Sequence, residues 1–190
     1  MLANSLRLAR LSTSSRTTFA AVQQRTFIIA SEHPPVRSAA HQKSFPALVQ
    51  EIKATNKNIH YLSPKDLHSL KSETTASAST QPPHVIDVRE RHEVQATGTI
   101  PGAIVLPRGI LERDVAKFIK QSDPRDVVVY CAGGFRSVLA AESLVRLGYG
   151  ATGAELGGGS SSPKVWSLDE GMDGWVKNGF QVEKDGKVSK

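Results

Sequence analysis

One cysteine, Cys131, stands in a chain of 190 residues. An intrachain disulfide is therefore impossible, and a cysteine-based metal site is not expected either. The histidines (His33, His41, His60, His68, His84 and His92) fall at no metal-ligand spacing, so surface or filler roles are the expectation and no metal is implied. Apolar runs are short. None approaches the roughly 18 residues a bilayer-crossing helix needs, and no membrane span is expected.

Acidic residues are missing from the start of the chain: none precedes Glu32, whereas Arg7, Arg10, Arg16 and Arg25 sit among many serines and threonines. That is the profile of a mitochondrial transit peptide, with a basic tail carrying no address as the alternative. Arg25-Thr26-Phe27 resembles a matrix-processing site, so residues 1–27 are read as leader and the mature chain as starting near Ile28. The leader also explains the charge. The whole chain carries +6, but without its four leader arginines 20 basic residues face 18 acidic ones. A near-neutral mature chain, with no basic patch interleaved with aromatics, calls for no nucleic-acid partner.

What is present is concentrated in residues 127–148. Val127-Val128-Val129-Tyr130 has the length and β-branched character of a buried strand. From Ser137 onward, Ala140, Ala141, Leu144 and Leu147 recur three and four apart, and Gly148 stands where a helix cap belongs. Between strand and helix lies Cys131-Ala132-Gly133-Gly134-Phe135-Arg136. Paired glycines let consecutive N–H groups turn inward as an anion-binding nest at the positive end of the helix. Those dipoles and the Arg136 guanidinium favour thiolate over thiol. A lone cysteine is commonly a small buried hydrophobe, but a core cysteine needs neither a Gly-Gly turn nor an arginine five residues on. The nucleophile reading is the stronger one.

Four residues separate Cys131 from Arg136, one fewer than in the cradle of cysteine phosphatases. A shorter ring suits a smaller guest, such as one sulfur atom carried on the cysteine. Cys131-Ala132-Gly133-Gly134-Phe135-Arg136-Ser137 resembles the active-site loop of the rhodanese-like sulfurtransferases. The resemblance extends from about Ile59 to Phe180 through Asp87-Val88-Arg89-Glu90, the Ile100-Pro101-Gly102-Ala103 turn and the closing segment at 170–180. It implies that Cys131 takes a sulfane sulfur from a small anionic donor, holds it as a persulfide among the N–H groups of residues 132–136, and passes it to a thiol acceptor without any cofactor. By the same resemblance Arg136 and Arg89 would serve substrate binding and Asp87 would hold neighbouring groups in place; for Asp87 and Arg89 an ion pair closing the strand is an equal reading. Thr99 replaces the usual histidine and Glu170 a usual glycine.

The rest of the chain reads as α/β. Residues 28–58 are an extension or linker in which Ala47, Leu48 and Ile52 could form a short helix. The domain runs from 59 to 183. Its strands are expected at 59–62, 84–90, 104–107, 127–130 and 165–168. Ser63 and Pro64 open a helix, and 108–120 is helical in period. Residues 72–83 are an exposed loop, 150–162 a Gly/Ser insertion, and 184–190 a frayed polar tail. These alternating elements predict a rhodanese-like central parallel five-stranded sheet with helices on both faces. Thiosulfate sulfurtransferase activity in the mitochondrial matrix is the leading functional expectation. A sulfur-relay module served by a protein partner and a phosphatase or arsenate reductase are the alternatives.

Overall fold

A computed structural model of the chain describes residues 43–76, 81–150 and 163–189. The leader, most of the linker and the Gly/Ser insertion lie outside the described residues. Five strands form one parallel sheet: β1 (Ile59–Leu62), β2 (His84–Asp87), β3 (Ile104–Val105), β4 (Val127–Tyr130) and β5 (Val165–Leu168), in the order β1-β5-β4-β2-β3. β4 is central. All four of its residues are buried, because alternate side chains point to opposite faces and both faces are covered. Val127 and Val129 join a core with Ile86, Val165 and Leu144. Val128 and Tyr130 join the other, with Leu67, Leu168, Met172 and Trp175.

The helices are α1 (Phe45–Thr55), α2 (Pro64–Ala76), α3 (Arg91–Thr97), α4 (Leu111–Asp114), α5 (Phe135–Arg146) and α6 (Gly171–Lys177). α1 and α5 cover one face of the sheet, and α2 and α6 cover the other. α2 opens as its sequence suggests. The Ser63 hydroxyl accepts from the Asp66 N–H at 3.2 Å and the Asp66 carboxylate accepts from the Ser63 N–H at 3.0 Å, a reciprocal cap.

Several boundaries differ from the sequence reading. The short helix allowed for within residues 28–58 is α1, and it packs on the domain: Val49 and Ile52 are buried in the α5-side core. α2 runs through Ala76, into the stretch read as loop. The second strand stops at Asp87, and Glu90 caps α3, a helix the sequence reading lacked. The period over 108–120 is delivered as α4 between two 3-10 turns. The polar tail forms a hairpin of β6 (Val182–Lys184) and β7 (Lys187–Ser189), whose Glu183 pairs with Thr99 through backbone bonds of 2.8 and 2.9 Å.

Candidate active site

Cys131 follows the last residue of β4, at the C-terminal edge of the sheet beside the end of β2, since Asp87 is in register with Tyr130. This is the edge at which ligands enter parallel α/β sheets. The thiol is 1% exposed and sits at the floor of the loop. Gly134 takes φ +84° as the N-cap of α5, and a Cβ there would stand 3.0 Å from the Glu170 nitrogen. Only glycine fits that turn comfortably.

The loop is held from outside by α6. Met172 N–H donates to the Cys131 carbonyl at 2.8 Å and Asp173 N–H to the Ala132 carbonyl at 3.0 Å. Peptides are planar and trans, so carbonyls turned toward α6 leave the Ala132 and Gly133 N–H groups facing the opposite way. Among the described residues, the N–H groups from Ala132 to Arg136 have no acceptor. That is a row of free donors at a helix N-terminus beside a thiol, an arrangement suited to a negative sulfur. Gly171 makes it possible. Its φ is +50°, and a Cβ there would lie 2.2 Å from the Cys131 carbonyl oxygen.

Behind the thiol runs a short hydroxyl chain. Ser167 donates to Ser137 at 2.9 Å, Ser137 donates to the Gly134 carbonyl at 3.0 Å, and the Cys131 Sγ is 3.8 Å from the Ser137 Oγ. Ser137 therefore fixes the loop and offers the sulfur a weak acceptor. In front, a cleft of about 880 Å³ abuts Ala132 and is walled by α3 and α6, with Glu93, Asp173, Val176 and Lys177 among its lining.

Both arginines of the sequence reading are already partnered. Arg136 makes two 2.7 Å bonds to the Glu93 carboxylate. That hydrogen bonding draws the Glu93 carboxyl down to about 2 against the opposing effect of burial, and the Glu90 N–H contributes in the same direction. Arg136 is raised, by Glu93 foremost and with an electrostatic contribution from Cys131. Arg89 is 2% exposed and gives its guanidinium to Asp87, Thr97 Oγ1 and the Gly98 carbonyl, with distances from 2.6 to 3.2 Å. Asp87 is fully buried and also accepts from the Arg89 N–H and Thr99 Oγ1. Asp87 and Arg89 form an ion pair that braces the turn at 97–100, and most of the Arg89 guanidinium N–H groups are engaged in it. Thr99 takes up its position through Tyr130, whose phenol also accepts the Ile100 N–H. Burial pushes that phenol's pKa up.

The family profile described as Rhodanese-like domain matches residues 63–178, more than half of the chain. The chain belongs to the rhodanese-like domain family. Among curated relatives, a sulfurtransferase of Allochromatium vinosum is 30% identical over 105 residues, covering 55% of this chain and 82% of that one. Among solved structures, a thiosulfate sulfurtransferase of Pseudomonas aeruginosa is 27% identical with a TM-score of 0.55. The match takes in 77% of this chain and 24% of that longer one. A Rhodopseudomonas palustris protein of unknown function, described as a possible tyrosine phosphatase, matches with a TM-score of 0.55 at 25% identity, over 75% of this chain and 96% of that one.

The rhodanese-like fold thus brings together Cys131, Ala132, Gly133, Gly134, Phe135 and Arg136 in one loop, as read from the sequence, and sets Asp87 and Arg89 beneath it. Glu93, Ser167 and Gly171 were not singled out by sequence, and Ser137 entered only as the last residue of the loop motif. Glu93 carried one available signal, the Glu90-x-x-Glu93 spacing of a capping box, here realised as a 2.9 Å bond from the Glu90 N–H to the Glu93 carboxylate. The bonds that make Ser167 and Gly171 matter join residues distant in sequence, and no local pattern announces them.

Proposed function

We propose that the chain is a sulfurtransferase that moves a sulfane sulfur from thiosulfate or a related donor through a Cys131 persulfide to a thiol such as glutathione. The observation that carries this reading is the row of unpaired N–H groups from Ala132 to Arg136 around a buried thiol. The Cys131 thiolate attacks the outer sulfur of the donor, a new S–S bond forms, and the old one breaks with its electron pair leaving on sulfite when thiosulfate is the donor. The persulfide's negative outer sulfur is then stabilised by fixed N–H dipoles that need no reorganisation. An acceptor thiolate attacks that sulfur, and the bonding pair returns to Cys131 as thiolate. The sulfurtransferase relative from Allochromatium vinosum supports this chemistry, and the composition of residues 1–27 supports a mitochondrial matrix setting.

The phosphatase alternative is disfavoured by Arg136. Only four residues separate it from Cys131, one fewer than in the cradle of cysteine phosphatases, so the ring is small for a phosphate group. A relay role with a protein partner is favoured by one observation: Phe135 in the loop is 45% exposed and lies 6.2 Å from the exposed Phe45 of α1. Intact-mass analysis of wild type and Cys131→Ser after exposure to thiosulfate or glutathione persulfide, then to glutathione, tests the proposal. Wild type should gain one sulfur atom and lose it to glutathione, and the variant should gain none. Equal uptake by both proteins would remove Cys131 from the reaction. Loading that is discharged only by added mitochondrial protein would favour the relay.

A further inference from the structure

α6 presents two opposite charges to the cleft in front of Cys131. Asp173 and Lys177 stand four residues apart, about 6 Å along the helix axis, and so are neighbours on one side of it. Both are exposed, and both line the cleft that abuts Ala132. Among the described residues, neither the carboxylate nor the ammonium has an ion-pair or hydrogen-bond partner. Other charged groups of the cleft have partners: Glu93 holds Arg136 through two bonds of 2.7 Å, and Lys184 donates to the Ala96 carbonyl. Asp173 is the inner of the two open charges. Its N–H donates to the Ala132 carbonyl at 3.0 Å, and its carboxylate lies 3.7 Å from where a Gly133 side chain would start. Lys177 ends the helix and carries its charge on a long flexible stem. Val176, 51% exposed, lines the same wall. That wall therefore offers an acid at the loop, a base one turn out and an apolar surface beside them.

We propose that Asp173 and Lys177 recognise the sulfur acceptor and select thiols bearing an ammonium and a carboxylate on one carbon, as free cysteine does and as glutathione does at its glutamyl end. The inference rests on the sulfurtransferase reading above and concerns its second half, the discharge of the Cys131 persulfide. The Asp173 carboxylate accepts from the ligand's ammonium, and the Lys177 ammonium donates to its carboxylate. An exposed acid and base at this spacing gain little by closing on each other, so a zwitterion that engages both displaces no strong internal bond. A group of one charge sign meets attraction from one residue and repulsion from the other. The cleft, at about 880 Å³, has room for a tripeptide thiol as well as for a single amino acid. Binding gathers the acceptor from dilute solution beside the loop. Its thiol proton goes to solvent, its thiolate attacks the outer sulfur of the persulfide, and a new S–S bond forms while the old bonding pair returns to Cys131.

The test starts from Cys131 persulfide, loaded from thiosulfate or glutathione persulfide and freed of excess donor. Its discharge by glutathione, cysteine or β-mercaptoethanol would be followed by rapid-quench intact mass in wild type, Asp173→Asn and Lys177→Gln. β-Mercaptoethanol is neutral and offers neither residue a charge, so rates taken relative to it remove differences in folded fraction and in loop geometry. Each substitution should lower the zwitterion-to-mercaptoethanol ratio about five-fold or more, the scale of one lost hydrogen bond between charged groups in contact with solvent. Asp173→Glu, which keeps the charge, should recover most of that loss. A fall with only one of cysteine and glutathione supports the site and tells which thiol it takes. Ratios unchanged in both variants overturn the proposal and leave persulfide transfer intact. A fall confined to one variant overturns it too, because a single charge would then be read. So does a persulfide that forms but yields its sulfur to none of the three thiols. If Cys131 loads no sulfur from either donor, the sulfurtransferase reading fails and this inference fails with it.

Discussion

Glu170 occupies a backbone conformation that few side chains tolerate. Its φ is +56°, directly before Gly171 at φ +50°, and its exposed carboxylate makes no hydrogen bond among the described residues. The sequence comparison had marked this position as one where glycine is usual, and the left-handed turn gives the reason. Left-handed geometry costs an ordinary residue roughly 1–2 kcal/mol, partly offset because glycine gives the unfolded chain about 0.4–1 kcal/mol more entropy to lose. Glu170→Gly should therefore stabilise the protein by about 0.5–1 kcal/mol in urea unfolding with an unchanged slope. A loss of stability would mean that the side chain contributes a contact outweighing the strain. At this scale the sequence was informative wherever the information was local. Cys131, Gly134 and Arg136 are set by one strand-loop-helix segment, while the residue that occupies Arg136 lies 43 positions away.

Elements read well when a run was long or wholly apolar. β4 declared itself by four buried residues, and α5 by a clear three-and-four repeat. α3 has seven residues, none fully buried, too few for a period to show. The β6–β7 hairpin had a signal that went unused: Asp185-Gly186 adopt φ of +50° and +71°, the positive pair that a tight two-residue hairpin turn requires. The consequence of element placement is clearest at α6, whose first turn holds the Cys131 loop through two carbonyls. Gly171→Ala would set a methyl 2.2 Å and 2.4 Å from the Cys131 and Ala132 carbonyl oxygens, so either α6 or the loop must move. The expected cost is about 2–4 kcal/mol of stability, together with more than a ten-fold loss in the rate of sulfur uptake. Rapid-quench loading at a temperature where the variant stays folded checks the second part. An unchanged rate there would show that α6 does not position the N–H groups.

For the whole molecule, three carboxyl groups tie stability to pH in one direction. Glu93 is drawn down to about 2 by Arg136, and Asp123 is drawn below the carboxylate range by Arg125 and then His84. Asp114 follows, under Arg113 and then Lys117. Each binds its proton less readily in the folded chain than in the unfolded one, so the unfolded state holds more protons as acid is added. The stability these groups provide is fully present above the ordinary carboxylate range near 4.5 and is lost as the pH falls toward 2. They differ in what they connect. Asp114 is itself largely buried but pairs within its own turn with the exposed Arg113 and Lys117, and pairs with such exposed partners add little. Glu93 joins α3 to α5 across the mouth of the site, and Asp123 joins the segment before β4 to His84 at the start of β2. The melting temperature should stay level from about pH 7 to 5 and fall below about 4.5. Glu93→Gln should melt below wild type at pH 7, and the two curves should draw together by about pH 2–3, where the wild-type carboxyl is itself becoming neutral. Calorimetry across that range decides it. A gap that persists unchanged into acid would mean that the Glu93 side chain acts through its shape, and that the α3–α5 closure over Cys131 does not depend on its charge.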